Sequence, residues 1–154
     1  MDMPKPNDAH KKLAKLAGSW RGEEIMHPSP WAPAAHKAQG KIRSAVGVDG
    51  FLVSGEYEQS RDGAVTYRGH SVYWYDDEKK RYVLHWWDSM GMAPNVFEGG
   101  FQGDVLTMTT VSPMGHHKVV YDVSKPDEMR WKMESSQDGQ KWTPMMDGTY
   151  RREK

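Results

Sequence analysis

Seven histidines are the side chains best suited to proton transfer or metal binding near neutral pH: His10, His27, His36, His70, His85, His116 and His117. No pair has the i, i+4 helical spacing of a zinc protease. The chain has no cysteine, which excludes disulfides, thiolate metal sets and a cysteine nucleophile. The histidines therefore point to no metal site. His116 and His117 are adjacent in a strand and point to opposite faces, so they cannot chelate together. His70 and His85 are different. A hairpin round Asp76 and Asp77 pairs their strands and brings residue 70 opposite 85 or 86. With Arg68, Trp74 and Trp87 close in register, they form a candidate ligand-binding set that would orient a carboxylate or carbonyl group. A slip of one residue turns every side chain over, so the pattern leaves open which face they share. On the inner face they contact a ligand; on the outer face they belong to an interface.

Carboxylates supply the second candidate. Glu24 alternates with Trp20, Gly22 and Met26, which places it on the inner face of the first strand. Buried there it needs a partner: Arg43, a tyrosine hydroxyl or Arg151. It serves either a structural ion pair or proton transfer. Glu56 alternates with Ser54 and Glu58 and faces solvent. No glycine-rich phosphate loop, serine elbow or paired-acid motif occurs, and no cofactor is called for.

These side chains need elements to hold them. Residues 1–6 read as a flexible leader and residues 7–154 as one domain. Asn7 or Asp8 can cap a short helix whose Leu13, Leu16 and Ala17 share one face, and Gly18 ends it. Beyond Ser19 the pattern is β throughout. Turn signals recur at Asp49-Gly50, Asp62-Gly63, Asp76-Asp77, Gly103-Asp104, Pro113-Met114-Gly115, Pro126-Asp127 and Asp138-Gly139. Runs of about eight to eleven residues between them imply an all-β antiparallel barrel of about ten strands in meander order, with one short N-terminal helix.

Alternation assigns faces in several strands. Met129, Trp131 and Met133 oppose Arg130, Lys132 and Glu134. His117, Val119, Tyr121 and Val123 fall together, which adds His117 to the ligand-binding candidates, and Trp142, Met146 and Tyr150 share a face. Residues 67–75 and 82–88 are apolar on both faces. Their outer face calls for a cover, either the helix or a second copy in a homodimer. Residues 88–95 read as a mobile flap, where Met90 and Met92 join Trp86 and Trp87 round a cavity mouth. Residues 27–35 read as a long ordered loop round Trp31.

Composition narrows the function. The chain has 154 residues, with Lys plus Arg 21 and Asp plus Glu 21. This zero balance argues against nucleic-acid binding and a polybasic membrane anchor. No apolar run approaches the ~20 residues a membrane helix needs, and no signal peptide is visible, so a cytoplasmic location is expected. Aliphatic residues are few, while 7 Trp, 7 Tyr and 11 Met are available to be buried. Such side chains suit a cavity wall better than a dry aliphatic core.

Leu16-Ala17-Gly18-Ser19-Trp20-Arg21-Gly22-Glu23 places a G-x-W between the helix and the first strand. Tyr75-Asp76, Trp87-Asp88-Ser89 and residues 99–104 follow at fitting distances. This pattern resembles an uncharacterised bacterial domain-of-unknown-function family of calycin-like barrels, which implies the barrel and no established activity. The G-x-W is similar to that of lipocalins and fatty-acid-binding proteins. The resemblance implies that Trp20 closes one barrel end beneath a basic residue of the final strand, Arg151 or Arg152, with Arg151 the expected one. The start also resembles nitrobindin-type haem barrels, but no histidine lies between Lys118 and Lys154 to act as the late-strand haem ligand.

The reading that follows is a barrel binding a small, largely apolar ligand, oriented by a few polar groups. The alternatives are an isomerase, cyclase or decarboxylase using a cavity histidine or carboxylate, and a ligand-free barrel filled by its own aromatics.

Overall fold

The computed structural model describes residues 1–30 and 32–154. Trp31 lies outside the described residues. Helix α1 (Asp8–Lys12) runs into a 3₁₀ turn (Leu13–Leu16). The Asn7 side chain accepts from the backbone N–H groups of Ala9 and His10, and the His10 ring accepts from the Asn7 N–H. This reciprocal cap lets so short a helix persist.

Ten strands follow: β1 (Gly18–Met26), β2 (His36–Gly47), β3 (Leu52–Arg61), β4 (Ala64–Asp76), β5 (Arg81–Asp88), β6 (Asn95–Gln102), β7 (Val105–Ser112), β8 (Gly115–Lys125), β9 (Glu128–Ser136) and β10 (Thr143–Arg152). Each pairs antiparallel with its neighbours in sequence, and β1 pairs with β10 to close the barrel. Closure removes the free edges at which another chain could add a strand. The Asp62-Gly63 turn has φ of 52° and 81°, the left-handed pair that a two-residue hairpin demands.

Helix and 3₁₀ turn lie across one end of the barrel. Leu13, Leu16 and Trp20 are buried there with Val53, Tyr82, Leu106, Val123 and Met129. Trp20 is fully buried, and its indole N–H donates to the Leu16 carbonyl at 3.1 Å. The cation above it is Arg152, 4.2 Å from the ring, whose guanidinium also donates to the Ala17 carbonyl. Arg151 points outward to Glu128. Tyr150 faces inward, so strict alternation sends 151 out and 152 in.

Two further expectations are corrected. The β4–β5 connection holds four residues between Asp76 and Arg81, so His70 faces Trp87 and His85 faces Val72. A β-bulge between Pro144 and Met146 shifts the register of β10. Trp142 is thereby turned away from the face of Met146 and Tyr150, and packs against His116 and Lys118.

Replacing Trp20 with Ala should destabilise the fold by about 3–5 kcal/mol, as expected for a fully buried aromatic. Urea unfolding measures this, and Arg152→Ala should cost more than Arg151→Ala in the same experiment. A loss below about 1 kcal/mol for Trp20→Ala would show that the end is not closed by this ring.

Candidate functional site

The inner wall changes character along the barrel. At the helix end the inward side chains are sealed, as Trp20, Tyr82, Met129 and Tyr150 show. Toward the other end the inward side chains are only partly buried: Met26 on β1, Gln59 on β3, Trp86 on β5, His117 on β8, Met133 on β9 and Met146 on β10. Solvent reaches the inner wall at this, the open end. Round this mouth stand the exposed Met90, Met92, Val111 and Met114.

Between the sealed and open halves lies a belt of polar groups. Glu24 is fully buried. The Tyr57 hydroxyl lies 2.7 and 2.6 Å from its two oxygens, and the Tyr150 hydroxyl donates to Oε2 at 2.8 Å. The Gln59 amide in turn donates to the Tyr57 oxygen at 3.1 Å. Of the partners weighed for Glu24, tyrosine hydroxyls hold it, while Arg43 and Arg151 lie on the outer face. Burial pushes the Glu24 carboxyl above its ordinary value, against the hydrogen bonds that favour the charged form. Burial, reinforced by the negative Glu24, keeps both tyrosines protonated far above the usual phenol range.

Glycines make room for this group. A Cβ on Gly40 would come within 2.5 Å of Glu24 Oε1, and one on Gly148 within 2.5 Å of the Tyr150 hydroxyl. A Cβ on Gly69 would overlap the Trp86 ring. Each removes a side chain from the inner wall so that a neighbour's large one can lie flat against it.

On the far wall, the Tyr121 hydroxyl meets that of Tyr73 at 2.7 Å, which links β8 to β4 across the lumen. Burial pushes Tyr121 up to about 12. Beside it the indole nitrogen of Trp131 is buried without a hydrogen-bond partner. Nearer the mouth, the Tyr67 hydroxyl donates to Asp88 at 2.7 Å, and the Trp86 N–H approaches both at 3.3 Å. His117 shares the mouth, its basicity lowered first by burial and then by His116.

The remaining sequence candidates are not inside. His70 pairs with Glu56 at 2.8 Å, and Arg68 with Glu58 at 3.7 Å, both on the outer surface. Trp74, His85 and Trp87 continue that surface as a ladder of rings, with His85 stacked between the two indoles at 6.2 and 6.1 Å. The interior therefore holds Glu24 and His117 from the candidate set, and the outer wall holds Arg68, His70, Trp74, His85 and Trp87. The helix does not cover them, because it packs on the barrel end. Of the other histidines, His10 caps α1, His27 pairs with Asp147, His36 lies opposite Met26 at the start of β2 and His116 packs on Trp142. Among the described residues no group of three or more His, Asp or Glu side chains could hold a metal ion. An outer groove bordered by Lys80, Arg81, Glu98 and Val111 lies away from this convergence, and Arg81 and Glu98 pair with each other there at 2.6 Å.

Tyr57, Gln59, Tyr73, Tyr121, Trp131 and Tyr150 were not singled out in sequence as site residues. Their signal is the alternation of large aromatics with inward glycines, as in Val53-Gly55-Tyr57-Gln59 and Gly148-Tyr150.

A family model described as "Protein of unknown function (DUF1579)" matches residues 5–152. The chain belongs to the DUF1579 family. Among solved structures, this DUF1579 barrel is similar to Rv2717c from M. tuberculosis. The TM-score is 0.72 at 15% identity, over 96% of this chain and 99% of that one. It is also similar to the S-type phycobiliprotein lyase CPES from Guillardia theta, with a TM-score of 0.64 at 16% identity over 97% and 99% of the two chains. At these identities the likeness shows the fold, a closed ten-stranded antiparallel barrel. No curated protein matches the sequence.

The raised carboxyl has a measurable consequence. Because folding raises the Glu24 pKa, the folded chain holds a proton that the unfolded chain loses first. Stability from this group is therefore present below its ordinary value of 4.5 and declines as pH rises toward the folded value. Glu24→Gln removes that decline. Its stability relative to the native protein, followed by urea unfolding from acid to neutral pH, should improve as pH rises; a pH-independent difference would contradict a raised carboxyl.

Proposed function

We propose that this barrel binds a small, largely apolar ligand in the open half of its interior. The observation that carries the reading is the gradient along the inner wall, from sealed side chains at the helix end to partly exposed Met26, Trp86, Met133 and Met146 at the other. Aromatic rings and methionines give such a ligand apolar contact, and the Glu24–Tyr57–Gln59 group orients it. Fold likeness to a phycobiliprotein lyase and to Rv2717c supports a barrel of this kind.

Trp86 and Trp131 report on occupancy. Titration with the neutral dye Nile red should quench their emission and raise the dye's own. Met146→Trp fills the open half and should weaken dye binding by about tenfold or more. A native protein that takes up no dye, and carries no small molecule when purified from its own host and weighed by native mass spectrometry, would overturn this reading.

The uncovered outer face of β4 and β5 supports a second proposal, that the barrel pairs with a copy of itself through Trp74, His85 and Trp87. Trp87 is 40% exposed on this face. Light scattering at micromolar concentration should give a dimer mass that Trp87→Glu halves. A monomer mass for the native chain would remove the proposal.

A further inference from the structure

The hydrogen-bond inventory of the open half is one-sided. The single hydroxyl proton of Tyr57 is committed to Glu24, and that of Tyr67 to Asp88. Each phenol oxygen already accepts once, from Gln59 on Tyr57 and from Trp86 on Tyr67, and is left with one free lone pair and no donor, because a hydroxyl carries one donor and two acceptor sites. The Gln59 amide N–H₂ is turned to the Tyr57 oxygen and to the sulfurs of Met26 and Met146. Its carbonyl oxygen is the part left over. Two acids, Glu24 and Asp88, face inward in this half, which they share with the His117 imidazole, its basicity lowered by burial. The inward-facing cation, Arg152, lies at the opposite end over Trp20.

The wall thus offers acceptors and negative charge within a frame of aromatic faces: Tyr57, Tyr67 and Trp86, whose ring centroids lie 5.9 to 6.5 Å apart. Ring faces and carboxylates attract the same kind of group, a cation with N–H donors. A carboxylate or phosphate would meet like charge at Glu24 and Asp88, with the His117 ring and the buried Trp131 N–H as the donors facing it.

We propose that the ligand's polar group is a nitrogen-centred donor, an alkyl or aryl ammonium, seated on Tyr57 and Gln59 with Glu24 behind them and Asp88 at the rim. The inference deepens the binding proposal and rests on it. It also reverses the polarity first expected, a carboxylate or carbonyl held by histidines, because those histidines stand outside the barrel.

Displacement of Nile red by three ligands of equal chain length tests it at neutral pH: n-decylammonium, n-decanol and n-decanoate. Decylammonium should displace the dye at about tenfold lower concentration than decanoate, with decanol between. Glu24→Gln should reduce that preference to near parity while decanol binding is retained. If Glu24→Gln does not fold, Asp88→Asn at the exposed rim should narrow the preference by itself. Decanoate binding as well as decylammonium to the native protein would overturn the inference and leave interior binding intact. So would a preference unchanged in both variants. Failure of all three ligands, together with failure of the dye, would instead overturn interior binding.

Discussion

A closed sheet gives every strand an inside, and the alternation of side chains decides residue by residue what goes there. In this chain the inside receives Glu24 with a set of tyrosine hydroxyls and indoles, with few aliphatic residues available to dilute them. A carboxylate in such a place must find donors or stay protonated, and Tyr57 and Tyr150 meet that demand from both sides. The glycines at 40 and 148 follow from the same requirement, since any side chain there would occupy the space of the carboxylate or the phenol. The sealed end answers a simpler need. There the helix and Trp20 exclude water by ordinary packing, with one indole hydrogen bond and one overlying guanidinium.

Much of this arrangement was legible before any coordinates. The helix cap, the turn positions, the meander order and the inward faces of β1, β8 and β9 follow from turn chemistry and clean alternation. Glu24 was placed inside by its neighbours Trp20, Gly22 and Met26. The β4–β5 hairpin defeated the same method for a physical reason. Val72 and Trp74 oppose Tyr73 and Tyr75, so hydrophobicity gives no sign to the face, and four rather than two residues in the turn shift the partner of His70. Arg151 and Arg152 are chemically equal, and only the inward placement of Tyr150 separates them. The bulge before Met146 carries no local mark strong enough to reverse the apparent face of Trp142.

The site itself was less legible because it is made of relations rather than of motifs. Tyr57 and Glu24 are 33 residues apart, and Tyr150 is 126 from Glu24. Neither tyrosine is distinctive alone. Histidines attract attention because their chemistry is versatile, yet here most of them stabilise a cap, a rim contact or an outer stack. The glycines of the inner wall were the better guide, since a glycine inside a strand interior demands a reason, and the reason was a large neighbour.

The bond between Tyr73 and Tyr121 acts as a strut. A barrel deforms most easily by flattening into an ellipse, and a tie between distant parts of its wall resists that mode at its own depth. Below the tie, packed rings and the helix hold the section round. Above it, the wall is lined by half-exposed methionines and indoles, where the Gln59 amide ties β3 to the sulfurs of Met26 and Met146 by the longer, softer contacts of 3.7 and 3.5 Å. The barrel is thereby divided into a base braced by a direct hydroxyl bond and a collar tied by softer contacts, and the ligand proposed above would meet the collar.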